Sequence, residues 1–360
     1  MSRTLSPKPR LSAVVCTYDR YDVLPDAIGS LLRQQLDAGS LEVIVVDNSP
    51  NHEKAARFRA RFVDAPGLSY LLEPTPGLSH ARNVGVARAQ ADIVAFMDDD
   101  AMAAPDWASH ILRAFQAYPG RAGVVGGRVL PRWVGGRPPW LGDDLLGYLS
   151  IVDWGGQTRM LQSDEWLVGC NIAFDKPILS SVGGFSRALG RVGAGLALLS
   201  NEDIEVAEKI HRAGRLSIYC PEAVVHHVID PARLTRAWFR RRSAWQAVSD
   251  YIKDPERMAA YSPAAVEHLR RELLDGSGGL AAGFFSVTED PQAFKRDVAL
   301  AYDLVAAMLG GGAELNSAGR PTQPVSLSTR IKARVRAAAQ ANHTFRRMLH
   351  YGMRWSGRKL

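Results

Sequence analysis

Asp98, Asp99 and Asp100 stand side by side at the end of an apolar run, ADIVAFMDDD. Neighbouring carboxylates repel one another unless a cation sits among them. Residues 93–97 have the length and β-branched content of a buried strand. Hard oxygen ligands suit Mg²⁺ or Mn²⁺, ions that also bind phosphate oxygens. A strand that delivers carboxylates to the C-terminal edge of a sheet puts them where open α/β folds bind ligands. The bland alternative is a solvated acidic turn, and the surrounding segments weigh between the two.

Those segments alternate between strand and helix. Residues 11–17, 41–47, 68–72 and 93–97 read as strands. Residues 24–36, 54–62 and 80–90 read as the helices between them, and 106–118 as a helix after the aspartates. This βαβα order predicts a parallel sheet covered on both faces. No G-x-G-x-x-G follows the first strand and no G-x-x-x-x-G-K-[ST] occurs, which argues against a dinucleotide fold and a P-loop. Residues 131–166 are rich in Gly, Pro and Trp and read as a long functional loop. A strand over 167–174, a helix over 202–213 and a short strand over 216–219 follow. Helices are expected over 232–251, 264–274 and 293–309, then a linker over 310–324 and a basic helix over 327–348. The expected division is a catalytic domain over 1–230, a helical region over 231–314, and a linker with a basic tail over 315–360.

The bulk composition agrees with a large enzyme-sized fold. The chain has 360 residues, is 46% hydrophobic and carries a net charge of +7. Ten bases and no acid follow Glu314, so residues 1–314 hold 34 bases against 37 acids, or −3. The positive charge therefore belongs to the tail, where no nucleic-acid recognition motif accompanies it. No window approaches the ~18 apolar residues of a membrane span. The N-terminus lacks the apolar core of a signal peptide. Cys16, Cys170 and Cys220 are widely spaced and odd in number, which reads as buried reduced thiols. The expected location is the cytoplasm, extended to the inner face of the cell membrane if the tail lies on anionic lipid.

Six ordered blocks carry chemistry: VVCTYDRYDVLPDAIGSLLRQQ, EVIVVDNSP, PGLSHARNVGVARAQADIVAFMDDD, WLVGCNIAFDKPILSSVGGF, LGRVGAGLALLSNEDIEVAEKIHRAG and CPEAVVHHVIDPARLTRAWFRRRSAWQ. Together they resemble a family-2 glycosyltransferase of the GT-A fold, of the inverting, non-processive bacterial type. The resemblance spans residues 10–250. It implies a Rossmann-like, mostly parallel sheet with helices on both faces and a C-terminal helical extension.

The resemblance also implies a site. Thr17, Tyr18 and Arg20 would line the nucleotide pocket; a ring stacks on a base and an arginine meets a diphosphate. Asp47 would bond the base or ribose, with an ordinary turn at Asn48-Ser49 as the other reading. Arg82 and Asn83 would face the nucleotide from a helix. Asp98 and Asp100 match the family's Asp-x-Asp pair, Asp100 as direct metal ligand and Asp98 leaning toward the ribose, with Asp99 sharing either task. Gly169 and Asn171 are candidates at the donor sugar or acceptor, and Trp166 for an apolar floor under a sugar ring. Asp203 is the expected catalytic base and Glu202 its first alternate; a plain helix start capped by Ser200-Asn201 is the other reading. His227, rather than His226, would complete the metal site, because adjacent residues of an extended segment face opposite ways. Arg240, Arg241 and Arg242 would close over the diphosphate or form the wet face of a helix.

The implied function is metal-dependent, inverting transfer of one sugar from a nucleotide-diphosphate sugar, with Mn²⁺ or Mg²⁺. The acceptor would be a saccharide or lipid-linked intermediate of cell-surface polysaccharide synthesis. Two rivals remain. A sugar-nucleotide nucleotidyltransferase would need a Gly-rich first loop, which Thr17-Tyr18-Asp19-Arg20 is not. A non-catalytic carbohydrate- or membrane-binding protein on the same scaffold would have no reason to keep Asp98, Asp100, Asp203 and His227 together.

Overall fold

The computed structural model describes residues 8–193, 198–256 and 289–310. The expected helices over 264–274 and 327–348, and the expected tail over 315–360, lie outside the described residues. The chain divides into two compact units; the first holds Met1–Gly136 and Leu146–Asp230.

The first unit is built on a 9-stranded sheet. Its strands are β1 Leu11–Thr17, β2 Leu41–Asp47, β3 Leu68–Leu72, β4 Ile93–Asp98, β5 Ala101–Ala103, β6 Ala122–Trp133, β7 Arg159–Met160, β8 Ile172–Asp175 and β9 Leu216–Ile229. Their order is β3-β2-β1-β4-β8-β6-β9-β5, with β7 also paired to β9. The block β3-β2-β1-β4 is parallel. β8 runs antiparallel between β4 and β6, and β6 is parallel to β9.

The parallel block forms because its strands are continuous apolar runs, suited to burial on both faces. Alternation along β1 then sorts its side chains: Ala13 and Val15 join one core cluster and Val14 the other. α1 (Leu24–Leu32) and α4 (Trp107–Ala117) cover the first face through Ile28, Leu31, Trp107 and Ile111. α3 (Leu78–Arg88) and α6 (Glu202–Arg212) cover the second through Ala81, Val86, Val206 and Ile210. The short helices α2 (His52–Arg59) and α5 (Lys176–Ser181) complete the unit. Register does the positioning: Thr17 lies opposite Asp47, and Cys16 opposite Asp98, so these strand ends share one edge.

Two stretches differ from expectation. Residues 122–133 form a long strand that the glycines of AGVVGGRVL conceal. Gly127 is there for space, since a Cβ on it would lie 1.9 Å from the Ala223 carbonyl oxygen of β9. The expected strand over 167–174 begins only at Ile172, and the residues before it turn around Gly169. The thiols behave as expected: all three cysteines are free, and burial pushes Cys16 up to about 12.

The described part of the second unit joins Arg137–Leu145 to α7 (Arg236–Lys253) and α8 (Pro291–Gly310). The Trp140 ring lies edge-on to Phe239 at 5.7 Å and to Phe294 at 4.8 Å. Arg240 pairs with Asp297 of α8 at 2.9 Å, a role outside both sequence readings of that arginine. No described helix is long and apolar enough to cross a membrane.

Gly127→Ala should lower unfolding free energy by roughly 3 kcal/mol, the upper range for overpacking, because backbone and not a rotatable side chain blocks the new methyl. Gly156→Ala, which meets nothing within 4 Å, should stay within about 0.5 kcal/mol of the parent. Urea unfolding of both variants checks the pair.

Candidate active site

β4 delivers Asp98 and the turn after it delivers Asp99 and Asp100. Asp99 and Asp100 are buried. The loop after β1 answers their charge. Thr17 Oγ1 donates to Asp99 at 2.7 Å, and Arg20 donates to Asp99 at 3.0 Å and to Asp100 at 2.8 Å. Burial, with repulsion from Asp100 and Asp98, pushes the Asp99 carboxyl up to about 7 against the pull of Arg20 and Thr17.

β5 pairs with β9, which sets Ala101 opposite His227 and brings the imidazole to the aspartates. His227 is buried, and its Nδ1 lies 2.9 Å from the Leu149 carbonyl oxygen. A carbonyl only accepts, so Nδ1 carries the proton and Nε2 presents a lone pair. That Nε2 is buried without a hydrogen-bond partner among the described residues, 3.2 Å from Asp100 Oδ1. Two acceptors facing each other in a buried place suit a cation between them. Donor atoms of Asp98, Asp100 and His227 lie within 4.8 Å of one another. The donor set, two carboxylates and a neutral imidazole, fits Mn²⁺ or Mg²⁺. The backbone carbonyl of Leu149 fixes the tautomer, as outer partners of metal-bound histidines do.

Arg82, on α3, is buried between the aspartates and α6. It donates to Glu202 at 2.7 Å and lies 3.7 Å from Asp98. Burial alone would lower its pKa, but Glu202 and Asp98 raise it, so it stays a cation. Glu202 is thereby occupied as a counter-ion. Asp203 is half-buried and accepts from the Gly169 amide at 2.7 Å and from the Ile204 amide at 2.8 Å. Burial and the neighbouring Glu202 push the Asp203 carboxyl up to about 6. Asn201 enters the helix in a left-handed conformation, φ 75°, and its side chain makes no cap bond to the first turn.

Other expected residues fall in different places. Gly169 sits against Arg82, where a Cβ would lie 2.3 Å from the guanidinium. The close approach that demands glycine is thus made by the chain itself. Asn171 is fully buried: it accepts from Trp107 Nε1 at 2.8 Å and donates to the carbonyls of Arg128 at 3.0 Å and Ala223 at 2.8 Å. Both amide hydrogens are occupied, so Asn171 pins α4, β6 and β9 instead of reading a sugar. Asn83 exchanges two bonds with the main chain of Phe185, at 2.9 and 3.0 Å, and holds that turn to α3. Asp47 is buried and accepts from Tyr21 at 2.9 Å, from Tyr70 at 2.7 Å, and from the Ser49 amide and hydroxyl. Tyr18 is half-buried, packed near Gly193. Trp166 keeps an exposed ring, 37% accessible, edge-on to Trp154 at 4.8 Å, and retains the form of an apolar floor. Sequence reading missed Tyr21, Tyr70 and Leu149; a backbone carbonyl leaves no trace in the side-chain pattern.

A sheet of this order, with paired aspartates after its fourth strand and a carboxylate opening a later helix, defines a GT-A glycosyltransferase. The profile of Glycosyl transferase family 2 matches residues 12–177. Over 249 residues the chain is 30% identical to the glucosyl-dolichyl phosphate glucuronosyltransferase of Haloferax volcanii, covering 68% of this chain and 77% of that protein. It is 28% identical over 238 residues to the succinoglycan biosynthesis protein ExoM of Rhizobium meliloti, covering 63% of this chain and 70% of that protein. The mannosyltransferase PcManGT from Pyrobaculum calidifontis, solved with GDP-Man and Mn²⁺, is 20% identical, with 97% of this chain and 86% of that one covered and a TM-score of 0.49. The chain belongs to glycosyl transferase family 2 and is an enzyme, a glycosyltransferase.

If Asp203 takes the acceptor's proton, it must be deprotonated to act. kcat/KM should therefore fall as pH drops through about 6 and level off above it. Asp203→Asn should reduce turnover by roughly 10²- to 10⁴-fold. Glu202→Gln removes the charge that raises Asp203, so its acid limb should move to lower pH with activity retained. A pH–rate profile of the three proteins measures this, and an inactive Glu202→Gln beside an active Asp203→Asn would reverse the assignment.

Proposed function

We propose that the protein is a metal-dependent, inverting glycosyltransferase that moves one sugar from a nucleotide-diphosphate sugar to a hydroxyl of a lipid-linked or saccharide acceptor. The observation that carries this is the convergence of Asp98, Asp100 and the bare Nε2 of His227, linked through Arg82 to the helix that presents Asp203. Asp98, Asp100 and His227 would hold a divalent cation, which supplies neutralisation of the charge that develops on the departing diphosphate. Asp203 accepts the proton of the acceptor hydroxyl while that oxygen bonds the anomeric carbon. The bond from this carbon to the diphosphate oxygen breaks, and the nucleoside diphosphate leaves with the electron pair. Arg20 supplies positive charge beside the aspartates, and Trp166 an apolar ring suited to a sugar face.

The state of Glu202 supports inversion. With Glu202 held by Arg82, Asp203 is the member of the Glu202–Asp203 pair left for proton removal, and a displacement with one base and no covalent sugar intermediate inverts the anomeric centre. The two curated relatives support the acceptor class: one is named for glucosyl-dolichyl phosphate and the other for succinoglycan biosynthesis. A lipid-linked acceptor also suits the ten bases beyond Glu314, each worth on the order of 1 kcal/mol near an anionic surface.

Asp100→Ala should abolish transfer and metal-dependent nucleotide binding while the fold persists. A thermal-shift panel of UDP, GDP and dTDP with Mn²⁺ identifies the base, since a ligand at 100 times its Kd stabilises by about 2.7 kcal/mol. Full activity of Asp100→Ala, or of the parent in EDTA, overturns the metal assignment. For the tail, liposome flotation compares the full chain with one ending at Gly319. Only the full chain should float, on anionic lipid, and salt should release it; equal behaviour removes the membrane role.

A further inference from the structure

A second group of metal-ligating side chains stands apart from the aspartates. His110 of α4, with Cys220 and Glu222 of β9, places donor atoms within 4.8 Å of one another. Cys220 precedes His227 on the same strand by roughly 20 Å of extended chain. The donors come from two elements packed on each other in the first unit, and nothing in the transfer reaction uses them.

The details suit a soft divalent ion. Cys220 Sγ lies 3.5 Å from Glu222 Oε2. Tetrahedral zinc, with bonds of about 2.3 Å to sulfur and 2.0 Å to oxygen, separates those ligand atoms by about 3.5 Å. His110 Nε2 lies 3.1 Å from Asp106 Oδ2, and Arg113 Nη2 lies 2.9 Å from Nδ1 and 3.1 Å from Nε2. With Nε2–H donating to Asp106, Nδ1 holds the lone pair and the imidazole is oriented as in carboxylate–histidine–metal arrangements. Thr158 Oγ1 donates to Glu222 Oε2 at 2.9 Å and steadies that carboxylate. Cys220 is buried, His110 half-buried, and Glu222 exposed, so an ion can enter from the Glu222 side. Arg113 is exposed and free to swing out as the ion takes its place at the imidazole.

We infer that His110, Cys220 and Glu222 form a zinc-class metal site that ties α4 to β9, distinct from the hard Asp98–Asp100–His227 site. On binding, the Cys220 thiol releases its proton to solvent and sulfur, imidazole nitrogen and carboxylate oxygen each donate a pair to the ion; no electron is transferred. Thiolate and imidazole select zinc or cobalt over magnesium and manganese. Water completes the coordination. Affinity rises with pH, because the thiol proton is displaced. The inference stands whether or not the transferase reading of the aspartate site is correct.

Cobalt separates the two sites, because only a thiolate gives the near-ultraviolet sulfur-to-cobalt charge-transfer band, and Asp98, Asp100 and His227 contain no sulfur. The EDTA-treated full chain, with Mg²⁺ present to fill the hard site, is titrated with Co²⁺. The band should saturate at one equivalent per chain and bleach with Zn²⁺. It should vanish in Cys220→Ser and weaken at least tenfold in Co²⁺ affinity in Glu222→Gln, an exposed position whose variant folds. Arg113→Gln removes a competing cation and should tighten binding several-fold. Zn²⁺ should raise the thermal midpoint of the parent and not of Cys220→Ser. No band in the parent overturns the site, and so does a band that survives in Cys220→Ser, since Cys16 or Cys170 would then be its source.

Discussion

Everything around the active edge follows from crowding three carboxylates at the end of one central strand. Asp99 and Asp100 are buried, and in a poorly polarisable interior like charges repel far more strongly than in water. The fold meets that repulsion from two sides: Thr17 and Arg20 reach in from the end of β1 and the loop after it, and Arg82 from α3. His227 of β9 turns a further acceptor toward Asp100. Each arrives because strand register places its element at the same edge. The charge is still incompletely balanced, and burial with the neighbouring aspartates pushes the Asp99 carboxyl up to about 7. A cation placed among these carboxylates would complete the balance.

The same constraint sorts the carboxylates of α6. Glu202 and Asp203 are adjacent and chemically alike, yet one faces a buried guanidinium at 2.7 Å and the other two backbone amides. Pairing with Arg82 holds Glu202 in place. Amide donors orient Asp203 without removing its basicity, and burial moves its carboxyl up toward neutral pH. Gly169 completes the arrangement, as any side chain there would displace Arg82. One glycine thus serves the guanidinium through its missing Cβ and the Asp203 carboxylate through its N–H.

Sequence read three strands of the parallel block to the residue, β1, β2 and β3, which end where their apolar runs end, and fell one residue short on β4. β1 and most of β2 are buried on both faces, and the three runs need no partner from far away to be recognised. β6 escaped because its glycines, Gly127 among them demanded by the backbone of Ala223, look like strand breakers until β9 is in place. Among the site residues, Asp98, Asp100 and His227 came from motif order and lie together, and Asp203 follows Glu202, the partner of Arg82, on α6. Asn83 and Asn171 did not take the ligand-facing places their motifs implied. Their partners are main-chain groups of Phe185, Arg128 and Ala223, which no residue type announces. The Arg82–Glu202 pair spans 120 residues of sequence and is equally silent.

Arg82 is therefore where the two halves of the site share charge. It cannot bond Glu202 at 2.7 Å and lie 3.7 Å from Asp98 without making each carboxylate sensitive to the other's state. Its guanidinium is planar and forked, and it lies against the edge-to-face pair Phe96 and Phe185, at 5.9 and 5.4 Å from their rings. A lysine would keep the charge but lose the fork and the stacking, so it would serve one carboxylate and release the other. Any cation that arrives at Asp98 and Asp100 relieves Arg82 of part of its partner there and leaves it more fully to Glu202. Charge at the aspartates and order at the start of α6 are in this way one electrostatic problem, and the chain solves it with a single buried arginine.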